Sequence, residues 1–377
     1  MTSRAGPVTL DLAGTHHDIG LAHGRAFAAS IATYAAERMR LAAATGWTGA
    51  SLTEREVLEL ARACLAEHEA FAPRLVEELR GIAAGAGIGA EELVVAGGFT
   101  DFIDAVAAVG SQGSADGVLV AVDDCTAFLV PADLMEGGSA VLAQTWDMHE
   151  GSADHLVLLR GRPTDAPDFI VYTTAGCVGM IGMNEAGLSV GINNLMAADG
   201  RVGVTWPFVV RAMLEKETLD EALAVLASAR LAGGHNYLVL DAAGRGANVE
   251  AMATTAHATP LADDPVAHTN HCLAAATRAV ERPRSPESQA SSEARLADAY
   301  RLLEAGTKQD GGLSIAGVQG VTADTASICH RGTPPLHVAT CGGVVMRPAT
   351  REMWAAAGMP SSEPYVRFGF GDPARAS

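Results

Sequence analysis

The chain has 377 residues, a formal net charge of −18 and 49% apolar residues. That apolar share allows a large buried core, while the negative balance argues against nucleic acid and against an anionic membrane surface, both of which repel a polyanion. No run of eighteen uncharged apolar residues marks a membrane span. The opening MTSRAGPVTLDLAG lacks the apolar stretch of a secretory signal, and the six cysteines contain no CxxC pair, so a reducing cytoplasm is the expected setting.

Taken in chain order, residues 16–45 are Ala-rich with apolar residues at helical spacing. Ser51-Leu52-Thr53-Glu54 gives a capping signature before a second helix through ARACLAEHEAF. Phe71 to Ala84 reads as a third helix closing near Gly85. The first hundred residues are therefore expected to be mostly helical. The texture then changes to short β-like runs broken by Gly, Asn and Asp: GVLVAV, TAFLVP, SAVLAQTW, HLVLLRG, FIVYTTAG, VGMIGMN and LSVGINNL.

Pro207 to Arg230 predicts a helix with a break near Glu217–Thr218, and Ala243-Gly244 predicts a hairpin turn. Residues 282–296 are polar and rich in Pro and Ser, which predicts a solvated loop entering a helix at about Ser292. The C-terminal stretch again reads as paired strands. No fixed-period repeat is present. The expectation is an α+β fold, one domain over 1–377, with layered sheets and helices outside.

Several chemistries fail on pattern. GIAAGAGIGA (Gly81–Ala90) follows a helix, whereas a dinucleotide cradle needs strand, tight turn and helix start; glycines ending a helix are the plainer reading. HTNHC (His268–Cys272) has no second ligand pair at zinc spacing. A GxSxG elbow is absent. No cofactor and no metal are expected.

What remains is Asp123-Asp124-Cys125-Thr126, between two strand-like runs. A cysteine opening a strand is not activated by a helix N-terminus. It can instead be activated by its own α-amine. If the preceding peptide bond is cut, that amine titrates near ~8 and can take the thiol proton, the logic of nucleophiles paired with an N-terminal amine.

In these residues the chain resembles the acyl-coenzyme A:6-aminopenicillanic acid acyltransferase (isopenicillin N acyltransferase-like) family of N-terminal-nucleophile (Ntn) hydrolases. The resemblance runs in order through GTHHDIGLAHGRAFAASI, VEELRGIAAGAGI, DDCTAF, AQTWDMH, IGMNEAGLSVGINNL, LEKETLDEALAVL, GGHNYLVLDAAG, HTNHCL and TASICH. It implies an αββα four-layer sandwich with a helical N-terminal segment.

The same resemblance implies cleavage between Asp124 and Cys125 into fragments 1–124 and 125–377, which stay associated. Cys125 matches the nucleophile and Asp147 the aspartate that holds its amine. Asn193 and Asn270 match donors to the developing oxyanion, with Asn194 a competitor of Asn193. It implies a small amide or acyl-thioester substrate. Nucleic acid and membrane are not expected as partners, and a homo-oligomer is compatible with the sequence.

Plain readings stand beside these: Asn193 and Asn270 as turn residues, Asp147 as a loop cap. Two departures matter. The family usually has Gly before the cysteine, which reaches a strained backbone more readily than Asp124 does. Related hydrolases also place an arginine near the nucleophile, in the region matching TADTASICHR, where Asp324 or Arg331 stand as candidates. A catalytically silent ligand-binding relative is the alternative.

Overall fold

The computed structural model describes residues 6–44, 51–110, 125–332 and 337–371. Asp123, Asp124 and the GVLVAV run lie outside the described residues.

The first described element is a strand, β1 (Val8–Gly14), not a helix. Helices α1 (His16–Ala26), α2 (Ala28–Ala43), α3 (Glu54–Phe71), α4 (Pro73–Ala86), α5 (Ala90–Gly97) and α6 (Phe99–Gly110) follow. The single helix expected over 16–45 is two, meeting at Phe27. The α3 cap is Thr53, whose hydroxyl accepts from the Glu56 amide while the Glu56 carboxylate accepts from the Thr53 amide, two residues later than Ser51 would set it. α1 and α4 meet backbone to backbone. A methyl group at Gly20 or Gly24 would overlap the carbonyl oxygen of Glu78 or Ile82, and one at Gly81 or Gly85 that of His17 or Leu21.

One sheet has the order β1, β4 (Leu156–Pro163), β5 (Phe169–Thr174), β6 (Ile181–Asn184), β7 (Ser189–Leu195), β8 (Gly234–Leu240), β9 (Gly246–Ala251) and β10 (Ala256–Pro260). β1 runs parallel to β4, a pairing to which the strand-poor reading of the N-terminus is blind, and the other pairs are antiparallel. The second sheet has the order β11 (Val266–His268), β2 (Ala127–Val130), β3 (Val141–His149), β12 (Val338–Arg347), β13 (Glu352–Ala357) and β14 (Val366–Gly369), all antiparallel.

Strand alternation sorts the side chains into layers. Ala127, Leu129, Leu142 and Trp146 pack between the sheets with Leu238 and Leu240. Phe128, Val130, Val141 and Ala143 point the other way, onto α10 (Pro286–Thr307) and α11 (Ile315–Thr322) through Ala299, Leu303, Val318 and Val321. On the far side α1 packs on β1 and β4, and Arg211 of α7 (Trp206–Met213) lies over the Phe169 ring of β5. The result is the four-layer αββα order, in an α+β fold. The expected break at Glu217–Thr218 separates α7 from α8 (Leu219–Ser228), which Thr218 caps, and the short α9 (Ala275–Arg278) follows β11. α10 begins at Pro286 with Ser285 as its cap, about two turns before the expected start, because Pro at the first helical position costs no hydrogen bond.

Helix α6 is tied to the chain beyond residue 125. Asp101 accepts from the Trp206 amide at 2.7 Å and stands 2.9 Å from Nδ1 of His235. Asp104 accepts from the Ala197 amide at 2.9 Å and the Gly234 amide at 3.3 Å, with Arg282 at 3.5 Å. Burial pushes the Asp104 carboxyl up to about 7, against the pull of Arg282 and the Ala197 amide. Among the described residues no helix is long and apolar enough to cross a membrane.

Candidate active site

Cys125 lies two residues ahead of β2 and is buried. Thr126 pins it to β3: the Thr126 amide donates to Thr145 Oγ1 at 3.2 Å and its carbonyl accepts from the Thr145 amide at 2.9 Å. This pairing carries the Cys125 Sγ to 3.3 Å from the Asp147 amide nitrogen, which donates to it. Nδ1 of His330 stands 3.6 Å from the buried Asp147 carboxylate, across from β12.

The order of β7 separates the two candidate asparagines. β6 starts late, and ahead of its first residue the Gln144 side chain takes a strand's place: it accepts from the Ile192 amide at 2.7 Å and donates to its carbonyl at 3.1 Å. Gly191 faces Gln144, so Asn193, two residues on, shares that inward face. Its Oδ1 accepts from Asn236 Nδ2 at 3.3 Å, which also donates to Asn248 at 2.7 Å. Nδ2 of Asn193 is buried without a hydrogen-bond partner. Asn194 has the opposite parity and contributes its backbone carbonyl, which accepts from Asn270 Nδ2 at 3.2 Å.

Asn270 follows β11, whose His268 sits opposite Ala127 of β2. His268 Nε2 is 3.0 Å from Glu250, which also accepts from the Leu273 amide at 2.6 Å and from Thr277. Burial raises the Glu250 carboxyl, but the His268 and Thr277 hydrogen bonds and the His268 charge outweigh it and bring it down to about 2. HTNHC is thus a hydrogen-bonded corner, and among the described residues no group of three His, Cys, Asp or Glu side chains is placed to hold a metal ion.

Arg295 joins these parts. It is buried on α10, and its Nη1 donates to the Cys125 carbonyl at 2.6 Å and to Thr126 Oγ1 at 3.1 Å, while Nη2 donates to Asn270 Oδ1 at 3.0 Å. One guanidinium therefore fixes the nucleophile candidate's carbonyl and turns the Asn270 amide so that its N–H groups point away.

The sequence pattern of the family described as acyl-coenzyme A:6-aminopenicillanic acid acyl-transferase matches residues 134–360. The chain belongs to that family. A protein of Emericella nidulans named acyl-coenzyme A:6-aminopenicillanic-acid-acyltransferase 40 kDa form is 27% identical over 265 residues, 69% of this chain and 68% of that protein. Among solved structures, a cysteine-to-alanine mutant of conjugated bile acid hydrolase from Clostridium perfringens matches with 10% identity and a TM-score of 0.45, covering 67% of this chain and 99% of that one. Penicillin V acylase from Agrobacterium tumefaciens matches with 14% identity and a TM-score of 0.34, covering 64% and 78%.

Of the residues weighed from the sequence beside the nucleophile, Asp324 caps its own turn through the Ala326 and Ser327 amides, both at 3.2 Å, and Arg331 is exposed. The arginine that bonds the Cys125 carbonyl is Arg295. Its signal was the buried stripe Ser292, Arg295, Ala299, Leu303 of α10, a charge at an apolar position of a helical pattern. His330 and Glu250 carried no comparable signal.

Proposed function

We propose that this acyltransferase-family protein is an autoprocessing amidohydrolase or acyltransferase that works through a Cys125 acyl-enzyme. The observation that carries the reading is the placement of the Cys125 thiol at the head of β2, on the Asp147 amide, with Arg295 linking its carbonyl to Asn270. In the precursor the thiol attacks the Asp124 carbonyl, an N→S shift gives a thioester, and water resolves it. This frees the Cys125 amine and leaves a carboxylate on Asp124.

The free amine then takes the thiol proton, and Asp147 holds the resulting ammonium in place. The thiolate adds to an amide or thioester carbonyl. Asn193 Nδ2 and the remaining Asn270 N–H receive the oxyanion, and such preorganised donors contribute about 2.7–4 kcal/mol each in the transition state. Collapse expels the amine or thiol, which takes the proton. The acyl group then passes to water or to an acceptor amine. The substrate class is a small acylated amine or acyl thioester.

Intact-mass analysis of wild type and Cys125→Ala tests this. The wild type resolves into 1–124 and 125–377 and hydrolyses or transfers acyl groups; the variant stays whole and inert. An active wild type that is a single unbroken chain would sink the proposal. The silent-relative reading draws support from the burial of Cys125. Iodoacetamide separates the two, because an activated Cys125 reacts much faster than the other five thiols.

A further inference from the structure

Next to Arg295 lies a second set of buried polar groups to which the mechanism above gives no task. Ser292, one helical turn before Arg295 on α10, is fully buried and centres four contacts on the tripeptide Thr269-Asn270-His271. Its Oγ accepts from the Asn270 amide at 3.0 Å and lies 3.0 Å from Thr269 Oγ1 and 2.7 Å from His271 Nδ1. Its carbonyl accepts from Thr269 Oγ1 at 3.0 Å.

Counting protons fixes the arrangement. The Thr269 hydroxyl hydrogen goes to the Ser292 carbonyl, so Thr269 Oγ1 is left to accept the Ser292 hydroxyl hydrogen. Ser292 Oγ has two lone pairs. One takes the Asn270 N–H, and the other is left for His271, which must carry its hydrogen on Nδ1. Burial above all, with the nearby His268 charge, brings the His271 ring down to about 4, so this hydrogen belongs to a neutral ring at ordinary pH. A neutral imidazole with hydrogen on Nδ1 presents Nε2 as an acceptor.

We propose that Ser292 and His271 are positioning residues that lock the Asn270 backbone, and that His271 serves as a fixed N–H donor and not as a proton carrier. Arg295 grips the Asn270 side-chain oxygen and Ser292 grips its backbone nitrogen, so two residues on one face of α10 hold the same asparagine from both ends. The proposal rests on the reading of Asn270 as an oxyanion donor. With both grips in place the Asn270 Nδ2 direction is set before substrate arrives, which is the condition for a donor to act on the transition state.

The test is the acylation burst of the purified full chain with p-nitrophenyl hexanoate, run beside iodoacetamide labelling of Cys125 and thermal melts. Ser292→Ala and His271→Gln should slow acylation 10- to 100-fold, with KM within threefold and the labelling rate within twofold of wild type. Ser292→Thr keeps the hydroxyl, and His271→Asn places an amide N–H where Nδ1–H was; both should stay within threefold. The proposal is overturned if Ser292→Ala acylates like wild type, if labelling falls in step with acylation, or if His271→Asn is as damaged as His271→Gln, which would assign the ring to proton transfer. Failure of the nucleophile reading shows separately, as a wild type without a burst or a burst that survives Cys125→Ala.

Discussion

Two buried polar clusters of similar residue types differ in what they connect. The cluster on α6 sets Asp101 and Asp104, which precede residue 111, against the amides of Ala197, Trp206 and Gly234 and the side chains of His235 and Arg282, all beyond residue 125. The cluster around Cys125 draws its parts from 125 onward: Thr145, Asp147, Asn193, Glu250, His268, Asn270 and Arg295. The first is built of carboxylates satisfied by backbone amides and holds two stretches of chain together. Both keep a buried donor without a hydrogen-bond partner, Nη1 of Arg282 in the first and Nδ2 of Asn193 in the second, so what separates them is the span of chain each ties together.

This contrast is open to breakage from both sides. The largest effect belongs to Arg295→Met. It strips a cation from three buried neutral acceptors, and a hydrogen bond to a charged group contributes about 1.5–3 kcal/mol. Acyl transfer should fall more than 100-fold and fragment formation should stop, as read by intact mass and turnover. Arg295→Lys should not restore either, since a point charge cannot span the Cys125 carbonyl and Asn270 as a fork does. A variant that processes and turns over normally would detach Arg295 from the site.

Asp101→Ala should act in the other sense. Losing the bond to the buried Trp206 amide costs roughly 1–3 kcal/mol, and the unfolding midpoint in urea should drop accordingly. The labelling rate of Cys125 in the folded protein should hold within twofold. Loss of thiol reactivity without loss of stability would merge the two clusters into one.

The smallest effect is a pH slope. The Asp104 carboxyl stands near 7 in the folded protein, above its ordinary unfolded value near ~3.9. The folded state therefore holds the proton more tightly. The stability this supplies is complete below the unfolded value and is lost as pH rises through 7. Relative to Asp104→Asn, wild type should lose on the order of 2 kcal/mol between pH 5 and 7. Denaturant melts across that range measure it, and parallel slopes would mean that Asp104 does not titrate there.

Much of this was written in the chain's local patterns. The strand-like runs from TAFLVP to LSVGINNL became β2 through β7, and the ordered motifs led to the family that residues 134–360 match. β1 was not legible, because its pairing partner, β4, lies more than a hundred residues away and a lone edge strand carries only weak alternation. The start of α10 was hidden by Pro and Ser, which punctuate loops and also open helices. Which of Asn193 and Asn194 faces inward needed the sheet's parity, which Gln144 reveals only once two sheets face each other. Arg295 falls in the first turn of the helix expected from about Ser292, where a charged residue reads as solvated, so its buried face did not show.

The glycine seam between α1 and α4 carries a consequence of its own. Packed helices ordinarily slide past each other on side chains that change rotamer as they go. Here main chain rests on main chain, so the pair has no bearings to slide on and must travel as one stave. Neither helix can be grafted from a distant relative alone: the seam has to be inherited whole.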